Sequence, residues 1–228
     1  DTLLRQALAR HHIARLDALI ITHPDDDHMG SLASLDGVVQ VDRVLLARDG
    51  LTCSCASCAK LRGQAVSLVG KEQVAGVSQG DKLRFGVFEF TCVWPAVFRD
   101  EGGNCDSLCF TVDTDIDGDG SREWRSLLVG DAEHEEVSEM LSAGLIDDVD
   151  VYKVGHHGSK NALTQDQAAL LSPQVSLCSV GERNRYGHPV ASTVEALENA
   201  GSAVMRTDEH GDVACRFAKD YISVKTLR

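Results

Sequence analysis

His23-Pro24-Asp25-Asp26-Asp27-His28-Met29-Gly30 holds four candidate metal ligands, His23, Asp25, Asp27 and His28, within six residues. The run Leu16 to Thr22 before it is apolar throughout, as expected of a central strand covered on both faces. A short helix is expected from about Gly30 to Leu35. The ligand-rich stretch therefore falls on a turn from strand to helix, where several side chains can aim at one point. Imidazole and carboxylate together suit zinc or manganese. A solvated acidic turn capping the next helix would account for the aspartates, but not for two histidines at these positions.

Working outward, an apolar strand at Val41 to Leu46 completes a strand–helix–strand unit and predicts a parallel pair. Ala56 to Val69 has helical spacing, and Lys82 to Trp94 alternates as a hairpin does. Strands are expected at Leu108 to Val112 and Trp124 to Val129, then a helix from Glu133 to Leu141 with an acidic first turn that suits its dipole. Strands at Val149 to Val154 and Val175 to Val180 alternate with helices at Gln165 to Leu171 and Thr193 to Ala200. Short strands near Val204, Val213 to Phe217 and Ile222 to Val224 end the chain. Helices interspersed with both hairpins and crossovers predict an α/β sandwich, two mixed β-sheets with helices on the outer faces. At 228 residues the chain fits one domain, residues 1–228.

Three more segments carry chemistry. Leu127-Leu128-Val129-Gly130-Asp131 is an apolar strand ending in Gly-Asp, which by itself is as ordinary as a helix cap. Val149-Asp150-Val151-Tyr152-Lys153-Val154-Gly155-His156-His157-Gly158-Ser159 is a strand followed by paired histidines. Gly181-Glu182-Arg183-Asn184-Arg185-Tyr186-Gly187-His188-Pro189 combines a histidine with groups that can hydrogen-bond a phosphate, although it also reads as a structural turn.

Taken in order, these motifs resemble the metallo-β-lactamase superfamily, and within it the domain of ComEC-type DNA-uptake proteins. The superfamily's loop is His-x-His-x-Asp-His. Asp25 stands where its second histidine usually is, and Thr22 to Gly30 follows the ComEC-type Ser/Thr-His-x-Asp-x-Asp-His-x-Gly. Lys153 to Ser159 is similar to Lys-Val-x-His-His-Gly-Ser, and Gly181 to Pro189 to Gly-x-x-Asn-x-Tyr-Gly-His-Pro. The resemblance implies an αββα sandwich lacking its first strands, since the superfamily's opening Asp-Val-Gly-Gln-Gly-Asp-like segment is not visible. The start, Asp1-Thr2-Leu3-Leu4-Arg5, reads directly as an amphipathic helix, so the chain is expected to begin inside its fold.

The same resemblance implies two divalent ions, Mn2+ or Zn2+, held by His23, Asp25, Asp27, His28, Asp131 and His157, with Asp131 bridging. His157 is favoured over His156 as the ligand, although the sequence supports either assignment. Asp27, His156 and His188 are the expected catalytic residues, His188 or His156 protonating the leaving oxygen. Lys153, Ser159, Arg183, Asn184, Arg185 and Tyr186 are the expected substrate contacts. The implied activity is that of a metal-dependent phosphodiesterase or DNase of natural competence, in which a metal-activated water attacks a DNA phosphodiester. In the intact protein the domain would join a membrane channel and lie outside the cytoplasmic membrane. Two alternatives stay open: a metallo-hydrolase of a small phosphodiester or lactam, and a catalytically weak domain that binds DNA or a partner of the uptake machine.

Composition sets limits on these readings. The formal charge of −13 argues against nonspecific coating of nucleic acid by Lys and Arg, so a nuclease of this charge needs metals, which would reverse the local sign of a carboxylate-rich cleft. No run reaches the roughly 18 apolar residues of a membrane helix. Gly103-Asn104-Cys105-Asp106-Ser107-Leu108 lies where many superfamily members supply a further histidine, and none is present, which predicts an open position at one metal. Asp113 to Gly120 begins like a calcium loop but has Trp124 where a bidentate Glu is needed, so a polar hairpin tip is expected. Of the eight cysteines, Cys53, Cys55 and Cys58 fall in a segment, residues 50–72, expected to be an insertion. Their spacing could start a zinc site but lacks an evident fourth ligand.

Overall fold

The computed structural model describes residues 2–227; Asp1, quoted above as the start of the opening helix, lies outside them. The fold is mixed α/β and divides into two units, Asp1–Gln79 with Pro95–Leu108 and Gly80–Trp94 with Cys109–Arg228.

The first unit carries α1 (Thr2–Arg10), β1 (Arg15–Leu16), β2 (Leu19–Ile20), α2 (Asp26–Met29), β3 (Gln40–Val41), β4 (Val44–Ala47), α3 (Ala56–Val69) and β5 (Val74–Val77). A three-stranded parallel sheet runs in the order β2-β4-β5, with Leu19 opposite Val44 and Val44 opposite Val74. All four residues of β4 are buried, as befits a middle strand of Val and Leu, while both residues of β2 are half-buried. The apolar run Leu16 to Thr22 thus differs from its expected form. It is split between a short pairing of β1 with β3 and an edge strand, with the exposed Asp17 at the break. The helix expected from Gly30 starts earlier, at Asp26, and a 3-10 turn at Leu32–Leu35 follows it. Residues 56–69 make the crossover from β4 to β5, and α3 sets Cys58, Leu61 and Ala65 on its buried face, with Leu61 and Ala65 joining Leu35, Val44 and Leu46 in the core. The loop Pro95–Leu108 returns to this unit, where the Leu108 amide donates to the carbonyl of Thr22.

The second unit carries β6 (Lys82–Phe85), β7 (Phe88–Trp94), β8 (Cys109–Thr114), β9 (Trp124–Leu128), α4 (His134–Ser142), β10 (Val151–Lys153), α5 (Gln165–Leu171), β11 (Val175–Cys178), α6 (Ala191–Asn199), β12 (Ala203–Arg206), α7 (Thr207–His210), β13 (Asp212–Phe217) and β14 (Ile222–Leu227). Its seven-stranded sheet runs β12-β11-β10-β9-β8-β7-β6. The four strands from β12 to β9 are parallel, because helical crossovers join them, and β9 to β6 are antiparallel, with β6–β7 and β8–β9 consecutive hairpins and β7–β8 joined by the long loop Pro95–Leu108. Helices α4, α5 and α6 bury Val137, Met140, Ala168, Leu171, Ala196 and Leu197 with Leu127, Val129 and Tyr152 from the strands. Across β8 and β9, Asp113 faces Arg125, whose guanidinium meets both carboxylate oxygens at 2.6 and 2.8 Å. The acidic stretch between these strands is a hairpin tip, in which the Asp115 carboxylate accepts from the amides of Gly118 and Gly120.

Leu127 is fully buried in β9, the strand on which the sheet changes from parallel to antiparallel. Leu127→Ala is expected to cost about 2–5 kcal/mol through lost burial and the cavity left behind, read as a lower urea midpoint at unchanged slope.

Candidate metal centre

Each unit presents its own set of ligand-type side chains. In the first, β2 delivers Thr22 and His23, and the turn into α2 delivers Asp25, Asp27 and His28. His23 is buried and its ring lies 4.1 Å from that of His28. Nε2 of His23 stands 3.6 Å from Asp25 Oδ2, and Nε2 of His28 stands 3.8 Å from Asp27 Oδ2. The opposite nitrogens are engaged by hydroxyls. Thr22 Oγ1 lies 3.1 Å from His23 Nδ1 and 3.2 Å from His28 Nδ1, and Ser107 Oγ lies 3.2 Å from His23 Nδ1. A hydroxyl oxygen has two lone pairs, so Thr22 can accept from both imidazoles at once. That arrangement leaves each Nε2 with its lone pair outward.

Ser107 belongs to the segment in which a further histidine was sought. Beside it Asp106 is fully buried and turned away from ligand duty, accepting the amides of Arg99, Asp100 and Gly102 at 2.7, 2.8 and 2.9 Å. This carboxylate organises the loop, and Ser107 contributes an orienting hydroxyl in place of a ligand.

In the second unit the parallel strands β9 and β10 end side by side. Asp131 follows the first and His156-His157 the second. Asp131 is buried, and its Oδ2 lies 3.5 Å from His157 Nε2 and 4.0 Å from His156 Nε2. His157 Nδ1 donates to the carbonyl of Ser179 at 2.7 Å, which places its remaining lone pair on Nε2. His156 Nδ1 meets Glu133 Oε1 at 2.6 Å, and Glu133 Oε2 accepts from Asn161 Nδ2 at 3.2 Å.

The turn that carries the two histidines is strained and tightly enclosed. Both adopt left-handed backbone, φ 41° at His156 and 53° at His157, which costs a non-glycine residue about 1–3 kcal/mol. A Cβ on Gly155 would lie 2.4 Å from the Ala132 carbonyl oxygen, and one on Gly158 would lie 2.6 Å from Pro189 Cβ. Only glycine admits these approaches, so the turn is wedged between the segments that hold Asp131 and His188.

The remaining expected residues divide by role. His188 packs 5.8 Å from the His156 ring and stacks on Tyr186 at 5.9 Å. Burial, and then the neighbouring His156 and His157, hold its pKa below the usual imidazole value, so at neutral pH it is mostly uncharged. Asn184 spends its side chain on the loop itself. Its Nδ2 donates to the His188 carbonyl at 2.7 Å and its Oδ1 accepts the His188 amide at 2.9 Å. Ser159 is buried and accepts the Asn161 amide. Lys153 donates to the Val154 carbonyl at 2.8 Å, and burial lowers its pKa against the opposing pull of Asp131. Arg183, Arg185 and Tyr186 are exposed. Glu133 was not anticipated as a site residue. Its signal was present two residues after Asp131, at the start of a helix, where a carboxylate also reads as a cap.

The donor sets fit divalent cations. Nitrogen–oxygen separations of 3.5–3.8 Å exceed a hydrogen bond, yet they are close to the edge of about 3.4 Å expected for tetrahedral ligands about 2.0–2.2 Å from a shared ion. Gly158→Ala combines a positive φ of 79° with the Pro189 contact, and is expected to destabilise by about 2 kcal/mol, a fall of roughly 4–8 °C in Tm by calorimetry.

No protein-family profile matches the chain. It is 29% identical over 208 residues to ComE operon protein 3 of Bacillus subtilis (strain 168), covering 90% of this chain and 25% of that protein. Recombination protein 2 of Haemophilus influenzae is 27% identical over 214 residues, 93% of this chain and 24% of that protein. Competence protein ComA of Neisseria gonorrhoeae is 23% identical over 220 residues, 95% of this chain and 27% of that protein. The chain thus spans about a quarter of the length of these relatives. Among solved structures, CmlA, a diiron β-hydroxylase from Streptomyces venezuelae, has a TM-score of 0.55 at 16% identity, over 94% of this chain and 45% of CmlA. A point mutant of that enzyme gives 0.54. The chain is similar in sequence to competence and recombination proteins, and it shares its mixed α/β fold with a part of CmlA.

Proposed function

We propose that this chain is a metal-dependent phosphodiesterase domain that cleaves DNA, built on a metallo-β-lactamase-type αββα fold and acting within a DNA-uptake protein. The observation that carries the reading is the paired preparation of imidazoles and carboxylates. His23, His28 and His157 each have Nδ1 engaged by a hydroxyl or carbonyl and Nε2 turned toward an aspartate. The competence relatives, aligned over 90–95% of the chain, supply the DNA context. On this reading His23, Asp25, Asp27, His28, Asp131 and His157 are the ligands of one centre for two ions, Mn2+ or Zn2+.

Bound divalent ions would make a water acidic enough to ionise near neutral pH and would draw charge from the phosphoryl oxygens. The chain's own residues do the rest. Glu133 holds the His156 ring, which leaves its Nε2 beside Asp131 as the proton-transfer group. His188 is mostly neutral, so it serves by donating a hydrogen bond or passing a proton near the leaving oxygen, with Asn184 fixing its backbone. Arg183 and Arg185, exposed on the same loop, contact phosphate, and Tyr186 offers a stacking face. A P–O bond would form from the water oxygen as the P–O bond to the departing deoxyribose oxygen breaks, and that oxygen takes the proton. In the whole protein we place this domain beside a membrane channel, outside the cytoplasmic membrane. Among the described residues no helix is long and apolar enough to cross a membrane.

Linear DNA incubated with the chain and Mn2+ should be degraded, and Asp131→Ala should abolish this. Intact DNA with the unmodified chain, alongside turnover of a chromogenic phosphodiester or a lactam, would replace DNA with a small substrate; equal DNA cleavage by the variant would remove the metal centre from the reaction. Glu133→Gln keeps the size of the residue but weakens its hold on His156, and is expected to slow cleavage by about 10–100-fold, chiefly in kcat.

A further inference from the structure

Cys53, Cys55 and Cys58 take no part in the proposed hydrolysis, yet their three Sγ atoms all lie within 4.8 Å of one another. They share a focus. The Glu101 carbonyl oxygen lies 3.9 Å from the Cys53 sulfur, 3.2 Å from that of Cys55 and 3.4 Å from that of Cys58. One carbonyl oxygen has two lone pairs, so three S–H donors cannot all be served by it. A tetrahedral cation with thiolates at about 2.3 Å and an oxygen at about 2.1 Å has sulfur–oxygen edges of about 3.6 Å, and the three measured values straddle that length.

The Cys58 amide holds the Cys55 thiol below its usual range, whereas burial pushes the Cys58 thiol up, so a thiolate there needs a cation beside it. The Cys55 amide donates to the Cys53 sulfur at 3.5 Å and the Cys58 amide to the Cys55 sulfur at 3.3 Å, so two of the sulfurs already accept main-chain hydrogen bonds. Cys55 caps the N-terminus of α3, a 14-residue helix whose dipole favours negative charge there. Both sides of the cluster are held in place. Arg62 Nη1 donates to the carbonyls of Gly50 and Cys53 at 2.6 and 2.7 Å, and the Asp106 carboxylate gathers the amides on either side of Glu101. Gly102, at φ 88°, lies so close that a Cβ there would sit 3.0 Å from the Cys58 sulfur and 3.3 Å from Pro24 Cδ.

We propose that Cys53, Cys55 and Cys58, with the Glu101 carbonyl at the fourth corner, bind a thiophilic divalent cation, zinc by ligand type, as a structural site. Binding converts three thiols to thiolates and releases their protons to solvent. The ion ties the start of α3 to the loop Pro95–Leu108. That loop carries Ser107, whose hydroxyl meets His23 Nδ1, so the site steadies a side chain of the candidate metal centre without sharing an ion with it. The inference does not depend on the nuclease reading.

Cobalt(II) replaces zinc and reports thiolate ligation through a near-ultraviolet charge-transfer band that nitrogen and oxygen ligands do not give. The reduced, chelator-treated chain should develop this band with one equivalent of cobalt and lose it when zinc is added. The band should persist in Asp131→Ala and in Cys215→Ser, and vanish in Cys55→Ser. In the Asp131→Ala background, where the other candidate centre is impaired, zinc should raise Tm, and adding Cys55→Ser should remove most of that rise. Ellman's reagent on the denatured, unreduced chain should count all eight thiols. No cobalt band in the unmodified chain overturns the proposal whatever the variants do, and so does a count of six that assigns two of these cysteines to a disulfide.

Discussion

The register of two parallel strands governs the ligand-type side chains of the second unit. Val151 pairs with Ser126 and Lys153 with Leu128, so β9 and β10 reach the edge of the sheet at the same level. Three residues beyond each pair come Asp131 and His156, which therefore leave the sheet together. Lys153 also pairs with Leu177, and two residues on from there the Ser179 carbonyl accepts from His157. Adjacent parallel strands always present their carboxyl ends on one side, which is why such edges gather ligands. A slip of one residue between β9 and β10 would reverse the faces of whichever strand moved and take Leu127 or Tyr152 out of the core. The burial of those side chains is therefore what keeps the carboxylate and the imidazoles together.

What the residues revealed in advance was chemistry at strand ends. Histidine beside aspartate is rare enough to announce itself, and the apolar runs before Thr22, Asp131 and His156 located the turns correctly. Helix α3 was legible from its spacing. The strand β5 was not, because Val74-Ala75-Gly76-Val77 is short and contains a glycine; a Cβ at Gly76 would lie 2.9 Å from Arg48 Cα, so the strand needs that residue to let the turn after β4 approach. The edge position of β2 was hidden for another reason, since an apolar run describes composition and says nothing about which side lacks a neighbour. The left-handed histidines were also invisible. Nothing in a His-His pair predicts positive φ, and only the glycines on either side hint at a backbone under constraint.

Orientation was harder to read than identity. Ligand types can be named from a motif, but the groups that set each imidazole's tautomer come from elsewhere in the chain: Ser107 for His23, Ser179 for His157, Glu133 for His156. The Ser179 contact uses a backbone carbonyl and so carries no side-chain signal. Asp106 shows the converse hazard. As an acidic residue near an expected ligand position it invites a metal role, yet three main-chain amides already occupy its oxygens.

Ser107, beside the buried Asp106, gives His23 a second hydroxyl partner. With Thr22 and Ser107 both at Nδ1, His23 meets two hydroxyls within 3.2 Å, and Thr22 also lies 3.2 Å from His28 Nδ1. A hydroxyl that accepts from an imidazole N–H leaves Nε2 as the basic nitrogen, and each such partner narrows the ring's rotation. Because Ser107 sits at the foot of the loop that Asp106 gathers and Glu101 brings against the three thiols, the orientation of His23 is linked through one continuous stretch of chain to the start of α3. A buried imidazole whose scaffold is tied at both ends is already well ordered, and such order lowers the entropy lost when a ligand binds.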